Sequence, residues 1–543
     1  VQSVDLLRFG SRGSDTAAGL IRFALFFGAH GAVDVTVRAL AAPDQGRAQR
    51  GPLIVAAVAS NPGPALLVVA VVVLALWRDP LRYLGRWPAI DHGVELRWLA
   101  APLVVVLTWQ RALQPYDYLL ERTNAFDRSL LVVLAVGALL RPALLLAFVI
   151  QQEVMLAPLA FPFDSVQGQN IDGLLLTVLI ALAAGHLVVA VTRVDDTAPV
   201  MAVVIAAVAA HLFVPGRGKL FNGWFGAEDL RYLPANAATA GWLGQTDGDL
   251  SRSLTGLMGA LGPVPRVATL VLEVGAGLAA AHHRWFRWWL LPAVAFHLVN
   301  FVILGYWFLG WILVEVGLFL LLGRGGDERR RWLDRNATPG RALVVLMAVA
   351  AGGLLFHPPR LAWFDTPVAH GYRIEAEGES GAAYHVPFGA LAPFEQDLAF
   401  GRLVLGTTGR VTGPYGVTGS TDDLERLRGL SDPAEVEAIR GPLDPQELAA
   451  RDRSEAFVAT WVDRANQRAR GDGPVLDRLW SLRAPTWFWT GRPEPVYRFQ
   501  EPIRRLRVDL VTSLVTGDDT VRWSETVLVV AVDADGVARV TGR

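Results

Sequence analysis

Cysteine is absent from the 543 residues. That excludes disulfides, thiolate nucleophiles and Cys-ligated zinc or iron–sulfur centres, and it leaves the redox compartment unmarked. Charge is scarce as well: 19% of residues are Asp, Glu, Lys or Arg, where soluble domains carry about a quarter. The formal net charge is −1, so no basic field draws nucleic acid and no such partner is expected. Lysine is the scarcest charged type: Lys and Arg together number 50, and Lys219 is the one lysine. GC-rich coding sequence accounts for a chain rich in Ala and Arg and poor in Lys. It does not account for the retention of the last lysine at 219.

What is plentiful is apolar: 52% of residues are hydrophobic and the mean hydropathy is +0.35. A helix needs about 20 apolar residues to cross roughly 30 Å of hydrocarbon. Such runs lie at 18–40, 53–77, 98–113, 129–150, 173–192, 198–215, 264–281, 287–303, 306–323 and 342–357. They predict a polytopic α-helical membrane protein of about eight to ten spans over residues 1–357, embedded in a lipid bilayer as a multi-pass cell-membrane protein. The first run carries Arg22, Asp34 and Arg38, so it reads as a polar-decorated span and not as a cleavable signal peptide.

Arginine sets the expected orientation. The loop 323–341 holds Arg324, Arg329, Arg330, Arg331, Arg335 and Arg341, and the basic loop 282–287 lies two spans earlier. Both belong in the cytoplasm by the positive-inside rule, which puts the loop 216–263 and everything after 357 outside it. Arg78, Arg82, Arg86 and Arg97 also call for the cytoplasm, yet this count of spans leaves them outside. One early span is therefore miscounted or re-entrant. From about 358 charges and turn signals become frequent. The stretch YRIEAEGESGAAYHVPFG reads as a hairpin, two Asp-led segments at 431–441 and 444–471 read as helices, and 497–515 and 524–540 read as strands. Residues 358–543 are thus expected to form an extracytoplasmic α+β domain.

Ionisable residues within apolar runs are costly and mark functional candidates: Arg22, His30, Asp34, His186, His211, Glu273, His297 and Glu315. The competing reading of each is a buried polar contact between helices. His297 and Asn300 share a helix face at i, i+3 spacing and offer a hydrogen-bonding edge in the apolar stretch VAFHLVNFVIL. The histidines are too scattered to hold a metal. His282 and His283 read as capping a cytoplasmic turn. Lys219 sits in HLFVPGRGKLFNGW, where Pro215, Gly216 and Gly218 are expected to break the helix and let the side chain turn inward. Apolar walls and Arg217 would then favour a neutral amine able to act as a base; the alternative is an interfacial lysine snorkelling to the surface.

The stretch VPGRGKLFNGW resembles a segment of vitamin K-dependent gamma-carboxylases, a Gly-x-Lys-Lys-Leu run followed by Trp. Gly216, Lys219, Leu220 and Trp224 match, with Gly218 in place of the first lysine. Further on, LEVGAGLAAAHHRWFRWWLLPAVAFHLVNFVILGYWFLGWI is similar to that family's acidic-led span, its Phe-His-x-x-Asn helix and the Gly/Phe-rich span after it. Glu273, Phe296, His297 and Asn300 occupy the motif positions. The likeness covers roughly 18–325, with the motifs over 211–320, and extends to bacterial relatives carrying the horizontally transferred transmembrane domain.

The resemblance implies a quinone chemistry. Lys219 would be the base that deprotonates reduced vitamin K or menaquinol, with His297 and Asn300 orienting reacting oxygens as the other catalytic residues. Glu273, His211 and Trp224 would line the cofactor. Dioxygen would then yield a strong alkoxide base and the epoxide, and carbon dioxide would trap the γ-carbanion of a peptide glutamate on the extracytoplasmic side. No metal is implied. The chain departs from the family before 173: the Trp-Asn-Asn-His run is replaced by FPFDSVQGQNID, in which Gln167, Gln169 or Asn170 can supply an amide but no imidazole. Two other uses of the same residues are a transporter, for which no internal repeat is visible, and a membrane scaffold whose outer domain binds a partner.

Overall fold

The computed structural model describes residues 14–41, 52–87, 89–91, 94–113, 124–160, 169–193, 197–227, 230–242, 248–323, 339–359, 363–391, 394–395, 398, 403–413, 416–472, 482, 495–517 and 519–542. The helical part comprises α1 (Ser14–Ala41), α2 (Leu53–Ser60), α3 (Pro62–Arg78), α4 (Arg97–Ala112), α5 (Ala125–Leu140), α6 (Leu145–Ala160) and α7 (Gln169–Thr192). It continues with α8 (Ala198–Phe221), α9 (Leu233–Thr239), α10 (Gly248–Leu261), α11 (Val264–Ala279), α12 (His283–Leu304), α13 (Leu309–Gly323) and α14 (Pro339–Ala350). Helices α7 and α8 run through the middle, buried almost throughout, with the rest packed around them.

Among the described residues, four helices are long and apolar enough to cross a membrane, or up to six if each of two bent pairs is one span. The expected eight to ten runs are therefore apolar, but several are short or broken. The run 53–77 bends by 101° between α2 and α3. Pro62 explains the break, because the residue before a proline is driven out of the helical region, and Asn61 is at φ −130°, ψ 64°. The run 129–150 is not one helix either. Arg141, ahead of Pro142, is extended at φ −137° and ψ 115°, and α5 and α6 fold back on each other there. Gln151 Nε2 reaches back from α6 to the carbonyl and Oδ1 of Asp127 at the start of α5, each at 3.2 Å. The same carboxylate accepts from the first amides of α2, Leu53 (2.9 Å) and Ile54 (3.1 Å), satisfying helix-end donors that hydrocarbon could not.

The C-terminal region holds a five-stranded antiparallel sheet in the order β2-β1-β3-β4-β5, with β1 (Val368–Gly378), β2 (Ala383–His385), β3 (Ile503–Thr516), β4 (Asp519–Val532) and β5 (Ala538–Gly542). The long helix α15 (Pro445–Ala469) packs on it through Phe457, Val458, Trp461 and Val462. Asp432 and Asp444 cap the helices that follow them with reciprocal capping boxes, and the hairpin read at 372–389 pairs Glu375 with His385. The expected helices and strands of this region are present.

Helix α9 joins the two parts. Tyr232 N–H donates to Asp365 Oδ2 (2.9 Å), Asn236 Nδ2 to the Thr366 carbonyl (3.0 Å) and Thr239 Oγ1 to Ser513 Oγ (2.7 Å). Trp109 Nε1, near the end of α4, donates to the Leu482 carbonyl at 2.6 Å, and His357 pairs with Asp34 near the end of α1 at 3.2 Å. The ends of α1, α4 and α8 thus face the sheet. At the opposite end of the bundle Arg78 reaches the Val191 carbonyl (3.4 Å) and Arg341 lies over the Phe23 ring (5.0 Å).

His370 on β1 is buried, bonded through Nδ1 to Thr512 Oγ1 at 3.0 Å. Burial first, then the guanidinium groups of Arg410 and Arg440, push its pKa down to about 3. The unfolded chain binds this proton from about pH 6.5 downward and the folded chain does not. Stability is therefore full above pH 6.5 and falls as pH drops toward 3, by about 1.4 kcal/mol per pH unit for this group. Thermal melting between pH 7.5 and 4.5 is expected to flatten measurably in His370→Gln relative to the parent.

Candidate functional site

Helix α8 continues unbroken through Pro215, Gly216 and Gly218 to Phe221, so the expected break that would swing Lys219 inward does not occur. The lysine is buried because of packing. A Cβ on Gly216 would lie 2.7 Å from Glu273 Cβ and 3.2 Å from the Val274 backbone nitrogen, so the missing side chain lets α11 approach α8. One turn on, Lys219 Nζ meets Glu273 Oε1 at 2.5 Å, both side chains being almost fully buried. Arg217 points elsewhere and donates to the Ala350 carbonyl at 2.8 Å. The amine expected to face apolar walls and Arg217 is instead held against a carboxylate.

Trp224 covers the pair. Lys219 Nζ stands 5.2 Å from the centroid of its ring, which suits a cation–π contact. The indole is buried with Leu270 of α11, Phe364 and Leu424, so residues from the C-terminal part close over Lys219.

His297 on α12 is buried and bonds Glu315 Oε1 of α13 through Nε2 at 3.0 Å. Its ring stacks on Phe308 (4.8 Å) and meets Trp311 edge-on (5.2 Å). Helix α12 packs against both α11 and α13. Two buried pairs, Lys219–Glu273 and His297–Glu315, therefore stand as neighbours across α8, α11, α12 and α13. Each leaves polar atoms without a partner among the described residues, namely Glu273 Oε2, Glu315 Oε2 and His297 Nδ1, and Trp224 Nε1 likewise has none. An unpartnered buried polar atom costs about 1–3 kcal/mol, so this set has hydrogen-bonding capacity that the described side chains do not use.

The other expected residues fall in different places. Asn300 is half-buried one turn beyond His297 and makes no side-chain hydrogen bond with any described residue. His211 is buried, donates through Nδ1 to the Ala207 carbonyl (2.8 Å) and packs edge-on against Trp311 at 5.7 Å. Trp311 thus separates His211 from His297. His186 bonds the Tyr83 carbonyl (2.8 Å) and stacks on that ring, a helix-packing role. His282 accepts from Arg284 N–H at 3.2 Å and stacks on His283, so it caps α12. Gln167 lies outside the described residues, as do the side chains of Gln169 and Asn170. No group of three or more His, Cys, Asp or Glu among the described residues could hold a metal ion.

Comparison with protein-family models, curated proteins and solved structures finds no match to this chain. The site is therefore argued on its own geometry. Sequence reading gave Glu315 no role at the site, although a glutamate in the run WILVEVGLFLLL signals a buried partner. It also passed over Gln151, Gln152 and Glu153, a polar triplet inside LLAFVIQQEVML.

Removing one member of a buried pair strands the other charge, at a cost of roughly 3–5 kcal/mol. Glu273→Ala is expected to lower unfolding stability in detergent by about that amount. The double variant Lys219→Met/Glu273→Leu is expected to recover most of it, and denaturant melts of the three proteins check both.

Proposed function

We propose that this chain is a polytopic membrane enzyme, similar to vitamin K-dependent gamma-carboxylases, that deprotonates a reduced quinone at the Lys219–Glu273 pair. The observation that carries the reading is the single lysine, buried on a carboxylate whose second oxygen has no partner.

The membrane placement is supported by what the bundle exposes. Leu66, Val73, Val133, Val271 and Val302 are more than half exposed on α3, α5, α11 and α12, an outer surface suited to lipid. Trp77, Trp98, Trp285 and Trp288 are also largely exposed, next to Arg78, Arg97, Arg284 and Arg287 at the end away from the sheet. Aromatic side chains beside arginines suit a cytoplasmic interface. The parity conflict among the early arginines is relieved on this reading. Counting α5 and α6 as two crossings in place of the single run 129–150 would put Arg78, Arg82, Arg86 and Arg97 on the cytoplasmic side together with the later arginines, and leave the C-terminal domain extracytoplasmic. The short helices α4 to α6, α13 and α14 then complete the larger number of crossings.

The residues fit a molecule bearing ring hydroxyls. Glu273 Oε2 can accept a hydrogen bond, Trp224 Nε1 can donate one, and His297 Nδ1 can do either according to its tautomer. A reduced quinone, when bound, supplies the electrons with which dioxygen is activated. The chain's part is to take the hydroxyl proton. Glu273 Oε2 is the open acceptor, and Lys219 stabilises the carboxylate before the transfer and the anion left after it. Glu315 holds His297 in place as an orienting group, as a carboxylate does for an imidazole elsewhere. Closure by Trp224, Phe364 and Leu424 suits a ligand that arrives from the lipid. Carbon dioxide and an extracytoplasmic peptide glutamate belong to this reading as the family's co-substrates.

The test gives purified protein phylloquinol or menaquinol with oxygen and bicarbonate and measures epoxide in the lipid extract by mass spectrometry. Epoxide is expected with the parent, and Lys219→Ala is expected to lower its rate by about 10²-fold or more, the scale of lost electrostatic stabilisation of a developing anion. Folded protein that yields no epoxide from either quinol overturns the assignment.

A further inference from the structure

A second set of polar groups lies in the N-terminal half of the bundle, apart from the Lys219 site. On α1, Arg38 Nε bonds both oxygens of Asp34 at 3.0 Å, and the field of Glu153 on α6 also reaches Arg38. Asp127 ties α5 to α6 and α2 as described. Arg111 and Arg128 are buried nearby on α4 and α5, with Arg128 donating to the Ala112 carbonyl at 2.6 Å. The charges balance: Arg38, Arg111 and Arg128 against Asp34, Asp127 and Glu153.

Between these satisfied charges stand neutral groups that are not satisfied. Gln152 is 1% exposed, and neither its amide oxygen nor its amide nitrogen has a partner. Gln151 Oε1 is unpartnered beside it, and so is Thr177 Oγ1 on α7, which is 1% exposed. The His30 ring on α1 approaches the Leu355 carbonyl but completes no hydrogen bond. Helices α1, α6 and α7 all pack against one another, and each of them carries at least one of these groups. Buried polar groups in native proteins are almost always paired with protein, water or ligand, and in an apolar bundle the alternative is severe. A carboxamide with both ends free beside a compensated set of charges calls for a guest that both donates and accepts and carries no net charge.

We propose that α1, α6 and α7 enclose a second binding site, hydrated and distinct from the Lys219 site, that takes a small uncharged guest bearing carboxamide or hydroxyl groups. Its way out lies toward the sheet end, where the Asp34–His357 pair is found and the His357 side chain is 43% exposed. The site does not depend on the quinone reading, because it shares no residue with it. His211 on α8 packs edge-on against Trp311, and α8 also packs against α1 and α7.

The cysteine-free chain allows a direct test in the full-length protein. Thr177→Cys and Val178→Cys place single thiols at neighbouring, equally buried positions of α7. A hydrated site predicts that methanethiosulfonate ethylammonium modifies Thr177→Cys at least about tenfold faster than Val178→Cys, with both variants eluting as folded protein. Propionamide is expected to slow that reaction at least about twofold more than propionate or propylammonium. Gln152→Leu gives an independent reading by thermal melting. Loss of a group with a guest lowers Tm, whereas removal of an unpartnered amide from a dry site raises it. Equal thiol rates, or a Tm unchanged or raised in Gln152→Leu, overturn the site. Equal or absent protection by the three probes overturns the guest's chemical class.

Discussion

The Lys219–Glu273 contact governs the rest of the arrangement. A lone ammonium deep in an apolar bundle is costly, and it is tolerable when a carboxylate is brought within hydrogen-bond distance. That distance requires two helix backbones to come closer than side chains ordinarily allow, which the bare Cα of Gly216 provides. With α8 and α11 so joined, Leu270 is positioned to meet Trp224, and Trp224 to meet Phe364 and Leu424. One close approach inside the helices therefore sets where the outer sheet region sits.

The two polar regions solve the same problem differently. Around Asp34, Arg38 and Asp127 the charges are neutralised by one another and by helix-end amides, and it is the uncharged amides that remain open. Around Lys219 and His297 the nitrogens are each met by one carboxylate oxygen, and the second carboxylate oxygens remain open. Open carboxylates suit proton acceptance; open carboxamides suit recognition without proton transfer.

Much of this was legible in the sequence, and the failures have physical causes. The apolar runs, the Asp-led helices with their capping boxes and the alternating strands all signal themselves locally. The break at Arg141–Pro142 was also written locally, yet it was overridden by the hydropathy of the window around it. Conversely, Pro215 and the glycines beside it read as a break, but α8 carries on to Phe221 with Pro215, Gly216 and Lys219 buried against neighbouring helices. Lys219, Glu273, His297 and Glu315 could each be singled out as ionisable residues in apolar runs. Their partnership could not, since 54 residues separate Lys219 from Glu273 and only tertiary packing brings them together. Gln151 and Gln152 escaped notice because amides carry no charge to draw attention.

The strand order has a consequence for assembly. Helix α9 is anchored by Asp365, Thr366 and Ser513, and β1, which meets the short β2 at one end only, pairs along its whole length with β3, with Val368 opposite Leu514. The ribosome makes α9 and the whole helical bundle long before it reaches Ser513. Leu270, Phe364 and Leu424 are all made before Ser513, so the cover of Trp224 is complete in sequence while the face of α9 toward Ser513 still waits for β3. The contact of Thr239 with Ser513 is thus the last of these fastenings to be translated, and the bundle and the lysine cover come before it.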